Sequence, residues 1–257
     1  MAASDLDGTL LRSDDSVSER TLSALARTVA AGIRFVLVSA RSPGWLAPEA
    51  ERLGLDGIGI CANGAVVYDY QEGRVLIHRP LEAETALELV HGLRRVAPGV
   101  VCGCERPSGF VAEPAYRPLF RPPDSIPRAD ALVFLSEPVS KLVLQHPELP
   151  QAELHALASD FAGDQVEASY SGAGLVEISA AGVTKGRALA ELCAELDIDR
   201  SEVIAFGDMP NDVSMLAWAG RGIAVANAHP EVLAVADEVT ASNDEDGVAL
   251  VLERLSP

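Results

Sequence analysis

Ser4-Asp5-Leu6-Asp7-Gly8-Thr9-Leu10 sets a carboxylate, an apolar residue, a second carboxylate, a glycine and a hydroxyl in immediate succession. Read as the end of a strand over residues 1–7, it puts the Asp5 and Asp7 side chains on one face, because strand residues two apart point the same way. Gly8 then lets the backbone turn and come close to whatever those carboxylates meet. Two like charges about 4 Å apart repel by roughly 1 kcal/mol in water and about 4 kcal/mol near a protein surface, so the pair calls for a divalent cation or a shared proton. The competing reading is a solvated Asx turn, a common fate of Asp-Gly pairs.

Outward from this stretch, Val17, Leu22, Leu25 and Val29 recur at helical spacing as far as Gly32, a natural C-terminal cap. Ile33-Arg34-Phe35-Val36-Leu37-Val38 then forms a short apolar run of buried-strand type that ends in Ser39-Ala40-Arg41. Strand, helix and strand make a βαβ unit, and in a parallel sheet the ligand crevice lies beyond the carboxyl ends of the strands. Asp5, Asp7, Ser39 and Arg41 therefore fall on one rim. A further strand is expected over 57–61, with Asn63-Gly64 turning the chain into a return strand at Val66-Val67-Tyr68. Asn63 is either this turn's residue or a member of the site.

Near Leu81 the pattern changes. A helix over 82–96 leads into a stretch dotted with proline and arginine over 98–128, followed by a strand from Lys141, an amphipathic helix over 151–161 and a strand over 174–179. Hairpin and helix signals without βα alternation predict an inserted α+β module over 81–176. Alternation resumes at Gly182. Thr184 caps a helix that opens with Lys185, and Val203-Ile204-Ala205-Phe206 runs straight into Gly207-Asp208-Met209-Pro210-Asn211-Asp212. A strand over 222–226 and a last helix after Glu245-Asp246-Gly247 complete the series. The expected fold is α/β, a Rossmann-like, doubly wound and mainly parallel sheet built from 1–80 and 177–257, interrupted by the inserted domain.

Composition narrows the partners. Asp and Glu number 38 against 20 Lys and Arg, a formal net charge of −18, which speaks against nucleic acid and against anionic membranes. No apolar run reaches the ~18 residues of a membrane span, and acidic residues stand where a signal peptide would need basic and apolar ones. Cys61, Cys102, Cys104 and Cys193 lack the paired spacing of a structural zinc site and are expected as reduced, buried thiols of a cytoplasmic protein.

The acidic groups Asp5, Asp7, Asp208 and Asp212 converge in this topology, and hard oxygen ligands with room for water suit Mg²⁺. Ser39 offers a hydroxyl and Lys185 a point charge for phosphate oxygens. A carboxylate can accept a phosphoryl group, and a second one can protonate the leaving oxygen and later activate water. Lys185 in a helix's first turn is disfavoured by the dipole unless an anion lies beside it. Asp212 fits a ligand and a helix start equally well.

Asp5-Leu6-Asp7-Gly8-Thr9-Leu10, Ser39 with Arg41, Lys185, and Gly207-Asp208-Met209-Pro210-Asn211-Asp212 together resemble the four ordered motifs of the haloacid dehalogenase superfamily of phosphohydrolases. Asn63-Gly64-Ala65, Asn227-Ala228 and Asp246-Gly247-Val248 resemble its Cof-like sugar-phosphatase branch, class IIB. The resemblance covers residues 1 to about 80 and about 176 to 257. It implies Asp5 as nucleophile and Mg²⁺ ligand, Asp7 as general acid and base with its backbone carbonyl on the metal, and Asp208 as the third protein ligand. Asp212 and Asn211 would act through metal-bound water or by orienting Lys185 and the phosphate. Ser39 and Lys185 would bind the phosphoryl group. Arg41 would either join them or form a structural salt bridge. Ala40 departs from the usual glycine of the second motif, and only Met1-Ala2-Ala3-Ser4 precede the first aspartate, so the first strand must be short or the true start lies upstream.

The expectation is an Mg²⁺-dependent phosphatase for a small phosphorylated metabolite, first of all a sugar phosphate, with 81–176 as a mobile cap. Arg106, Arg117, Arg121 and Lys141 are its candidates for touching the leaving group. The alternatives are a phosphomutase that uses the same aspartyl-phosphate and a non-enzymatic aspartate phospho-switch. A monomer is expected, with a dimer as the alternative.

Overall fold

The structure is a computed structural model that describes residues 1–118, 126–170 and 174–255. The chain packs as two compact units, Met1–Leu76 with Thr184–Pro257, and Ile77–Val183.

The first unit begins with β1 (Ala2–Ser4), three residues of small side chain that are wholly enclosed. The chain then forms α1 (Glu19–Ala30), β2 (Phe35–Leu37), α2 (Pro43–Arg52), β3 (Ile58–Cys61), β4 (Val66–Asp69) and β5 (Arg74–His78). Ser18 starts α1 by accepting a hydrogen bond from the Thr21 amide at 3.0 Å. The helix buries Thr21, Ala24, Leu25 and Thr28. Val29, expected on that stripe, is instead 48% exposed. Positions 21, 24, 25 and 28 keep the 3.6-residue period, and the Thr28 hydroxyl is satisfied locally by the Ala24 carbonyl at 2.8 Å. Beyond β3 the chain turns through Ala62–Gly64 and returns antiparallel as β4.

In the second unit α3 (Ala83–Val96), β6 (Val101–Arg106), β7 (Gly109–Ala112), α4 (Ala131–Phe134), β8 (Lys141–Gln145), α5 (Gln151–Ala162), β9 (Val166–Ser169) and β10 (Val176–Ala180) follow one another. Its five strands lie in the order β7-β6-β8-β10-β9, all antiparallel. One face carries Cys102, Cys104, Leu142, Leu144, Val176 and Ile178, buried in one apolar core with Leu89, Val90 and Leu93 of α3 and Leu154 of α5. The intervening positions Glu105, Lys141 and Glu177 gather into an ion cluster, in which the Lys141 ammonium donates to Glu177 and lies 3.5 Å from Glu105. Lys141 is thus engaged by this unit's own carboxylates. Arg106 donates to the Phe134 and Pro138 carbonyls. Arg117 joins Gln145 through its backbone, and Arg121 lies outside the described residues.

The chain completes the first unit with α6 (Lys185–Glu195), β11 (Ile204–Gly207), α7 (Val213–Trp218), β12 (Arg221–Ala224), α8 (Pro230–Val235), β13 (Glu238–Val239) and α9 (Gly247–Leu255). The sheet order is β13-β12-β11-β1-β2, parallel throughout, and a parallel bridge from Val38 to Ile60 sets β3 beside the end of β2. The strand order reverses at β1, with β2 on one side and β11 on the other. That switch point is where open α/β sheets form their ligand crevice. All four cysteines are buried and outside any disulfide. Among the described residues no helix is long and apolar enough to cross a membrane.

Candidate active site

The site starts where β1 stops. Asp5 keeps the ladder with a 2.9 Å bond from its amide to the Phe206 carbonyl, and its carboxylate is buried. The strand ends at Ser4, so the two-residue alternation expected as far as Asp7 is broken by a tight turn over Leu6–Leu10. Asp5 and Asp7 consequently meet different partners: Asp5 meets Lys185, and Asp7 meets Arg41.

Gly8 makes that turn feasible. Its φ is +80°, and a Cβ there would stand 2.5 Å from Asp208 Oδ2, so any side chain would be strained and would push Asp208 away. Thr9 donates its hydroxyl to Asp208 Oδ1 at 2.7 Å. Asn227 donates to the Gly8 carbonyl at 2.8 Å and accepts from the Asn243 amide, while Asn243 donates to the Leu11 carbonyl at 3.0 Å. The loops after β12 and β13 therefore clasp the turn from two sides. Gly8→Ala is expected to reduce turnover on the order of 100-fold, the scale of a small misplacement of reacting groups; kinetics alongside an unchanged circular dichroism spectrum check this.

Lys185 is the first residue of α6, whose cap Thr184 accepts from the Arg187 amide. Its ammonium is 1% exposed and donates at 2.6 Å both to Asp5 Oδ1 and to Asp212 Oδ1. The anions that its place on the helix demanded are these two carboxylates. Asp212 Oδ2 accepts from the backbone amides of Asp208 and Met209, at 3.1 and 3.0 Å. Asp212 therefore closes its own loop while it pairs with the lysine.

Oxygens of Asp5, Asp208 and Asp212 lie within 4.8 Å of one another. Burial raises the Asp5 carboxyl well above its ordinary range; Lys185 opposes this, and the charges of Asp212, Asp208 and Asp7 add to it. Asp208 is pushed up to about 7 by burial and by Asp212, against the pull of the Thr9 hydrogen bond. Burial draws the Lys185 ammonium down, but Asp212 and Asp5 outweigh it and hold the group above its usual value. One ammonium among three enclosed carboxylates leaves negative charge uncompensated, and hard oxygen donors so placed fit a divalent cation.

A raised carboxyl pKa has a stability consequence. Between about pH 4 and pH 7 the native Asp208 holds a proton that the unfolded chain has released, so stability without metal falls as pH rises through that window. Thermal melts of metal-free protein are expected to show this slope and to show it flattened in Asp208→Asn.

Ser39 is fully enclosed after β2, and its hydroxyl oxygen accepts from the Arg41 amide at 3.1 Å. Asn63 sits at φ +57° next to Ala62 at +49°, its amide bound to the Ser39 carbonyl at 3.1 Å. Two successive left-handed residues without glycine are strained, a feature that clusters at functional turns. Asn211 donates to Asn63 Oδ1 at 3.1 Å, and its own Oδ1 is buried without a partner among the described residues. Thr9, Asn227 and Asn243 have no role assigned from sequence. Thr9 is signalled there by its place behind Gly8 and in the first family motif, Asn227 only by the family pattern, and Asn243 by nothing.

Residues 2–252 match the family model described as haloacid dehalogenase-like hydrolase. The chain is 33% identical to the pyridoxal phosphate phosphatase YbhA of Escherichia coli (strain K12), over 96% of this chain and 95% of that one. It is 30% identical to the phosphatase YwpJ of Bacillus subtilis (strain 168), over 99% of each. Among solved structures it is similar in fold to the HAD subclass IIB sugar phosphatase BT4131, with a TM-score of 0.83 at 22% identity over 99% of this chain and 98% of that one.

Proposed function

The chain belongs to the haloacid dehalogenase-like hydrolases, and from that membership we propose that this phosphoric monoester hydrolase acts on a small phosphorylated metabolite with Mg²⁺, through an aspartyl-phosphate on Asp5. The observation that carries the reading is the enclosed cluster in which Lys185 grips Asp5 and Asp212 with an oxygen of Asp208 close by.

In this reading Asp5, its carboxylate fixed by Lys185, attacks phosphorus while Asp7 gives a proton to the departing oxygen. Ser39 and Lys185 hold the phosphoryl oxygens, and Asn63 and Asn211 border them. Asp7 then takes a proton from the water that attacks phosphorus, which frees Asp5 and inorganic phosphate. Asp5, Asp208 and the Asp7 carbonyl would hold Mg²⁺, with Asp212 acting through water, and the cation would supply charge stabilisation for the phosphoryl group.

Sugar phosphates head the proposed substrates, and the name of the 33% identical relative adds pyridoxal phosphate. The inserted segment 81–176 is the proposed cap that selects among them, and 1–80 with 177–257 the catalytic core. We propose a monomer, and a cytoplasmic location suits four buried thiols outside any disulfide. The test is phosphate release from a panel of sugar phosphates and phosphorylated cofactors, with Mg²⁺ and again with a chelator. Chelator-sensitive release supports the reading. An isomerised sugar phosphate in place of inorganic phosphate would make the protein a mutase, and a phosphoenzyme that persists without release would make it a switch.

A further inference from the structure

Arg41 is a natural candidate for a phosphate ligand, yet its guanidinium is already engaged. Nε donates to Asp7 Oδ2 at 2.9 Å and Nη2 to Asp7 Oδ1 at 2.5 Å, a fork closed on both oxygens of one carboxylate. Nη1 lies 3.6 Å from Glu49 Oε1 on α2, and Glu49 is itself held by Arg52 one turn on, at 2.7 Å. The backbone of Arg41 is pinned as well, its amide on the Ser39 hydroxyl and its carbonyl accepting from the Ala62 amide at 2.9 Å. The Asp7 side chain is 40% exposed, and among the described residues Arg41 alone is hydrogen-bonded to its carboxylate.

We propose that Arg41 is a positioning residue for Asp7, with Glu49 as its anchor, and that it does not bind the phosphoryl group. The inference rests on Asp7 being the acid and base of the proposed reaction. A planar fork fixes the plane of the carboxylate, which a point charge cannot do. Each oxygen keeps a lone pair outside the fork, where the transferred proton can sit. In the first half-reaction the bond from phosphorus to Asp5 forms, the bond to the leaving oxygen breaks, and the Asp7 proton passes to that oxygen. In the second, water oxygen bonds phosphorus, its proton returns to Asp7, and the bond to Asp5 breaks.

The two roles separate by leaving group. The phosphoryl group is common to every monoester, so losing a phosphate ligand reduces kcat/KM by the same factor for all of them. Losing the aim of a general acid hurts in proportion to the basicity of the departing oxygen. The experiment measures kcat/KM with Mg²⁺ for wild type, Arg41→Ala, Arg41→Lys and Glu49→Gln on 4-nitrophenyl phosphate and on a simple alkyl phosphate. Arg41→Ala is expected to lose no more than about 10-fold on the aryl ester and at least ~100-fold on the alkyl ester, the range of general acid catalysis. Arg41→Lys should stay close to Arg41→Ala on the alkyl ester, and Glu49→Gln should show a smaller loss with the same bias. In an Asp7→Asn background the bias of Arg41→Ala should vanish. Equal losses on both esters, or full rescue by lysine, would overturn the positioning role and leave the phosphatase reading standing. A wild type inactive on both esters and on the metabolite panel would overturn that reading, and the inference with it. If Arg41→Ala does not fold, as a melt would show, Glu49→Gln carries the same comparison.

Discussion

Asp5→Asn is expected to lose at least ~10⁴-fold in phosphate release, the scale seen when a covalent nucleophile is removed, while the protein stays folded. An amide cannot form the acyl phosphate, and no neighbour can replace it: Asp212 spends one oxygen on Lys185 and the other on two backbone amides, and Asp208 is bound by Thr9. The fold should survive because Lys185 keeps Asp212, and the cluster loses one of the charges that burial disfavours. Steady-state phosphate release with thermal melts checks both halves. Intact mass after rapid quenching should show a phosphorylated species in wild type and none in the variant. Near-normal turnover in Asp5→Asn would remove Asp5 from the nucleophile's place.

Lys185→Met should abolish activity to a similar degree and also weaken the fold. Removing one partner of a buried ion pair typically costs about 3–5 kcal/mol, because the other charge is left enclosed and unpaired. Here two carboxylates, Asp5 and Asp212, are left behind. Asp5, whose carboxyl burial already raises, can escape by taking up a proton, so the loss should be greater at pH 8 than at pH 5 in metal-free urea titrations. Adding Asp212→Asn should recover part of it, since the orphaned charge goes too. A pH-independent loss would mean that the methionine disturbs packing and that the charges matter little.

The parts legible in sequence were those in which local chemistry and position coincide. The run into Asp5, the cap at Thr184 and the run into Gly207-Asp208 each announced an element and a candidate site residue together, although the strand expected over 1–7 ends at Ser4, and the family and the α/β fold followed. The hairpin of β6 and β7 gave no such signal. Cys102-Gly103-Cys104 has neither the polarity contrast nor the branched side chains that mark a strand, and its pairing partner β8 lies far along the chain. The clasp on the turn over Leu6–Leu10 was illegible for a different reason: Asn227 and Asn243 act over more than 200 residues of sequence, from loops that the sheet brings to it. The tie between Arg41 and Asp7 was open because one guanidinium can serve a phosphate or a carboxylate, and only the placement of α2 brings Glu49 behind it.

Within its sheet β1 is made before both of its neighbours. β1 pairs with β2 on one side and with β11 on the other, and β11 leaves the ribosome about 200 residues after it. Until then one edge of the strand that leads into Asp5 has no neighbour, whereas the five strands of the second unit all find their partners within Ile77–Val183. Synthesis thus completes the insert's sheet ahead of the sheet it interrupts. Long-range pairing of this kind folds slowly and exposes an unpaired edge to other chains. Between the translation of β1 and that of β11 this edge therefore stands open to other chains, and a slowed ribosome would lengthen the interval.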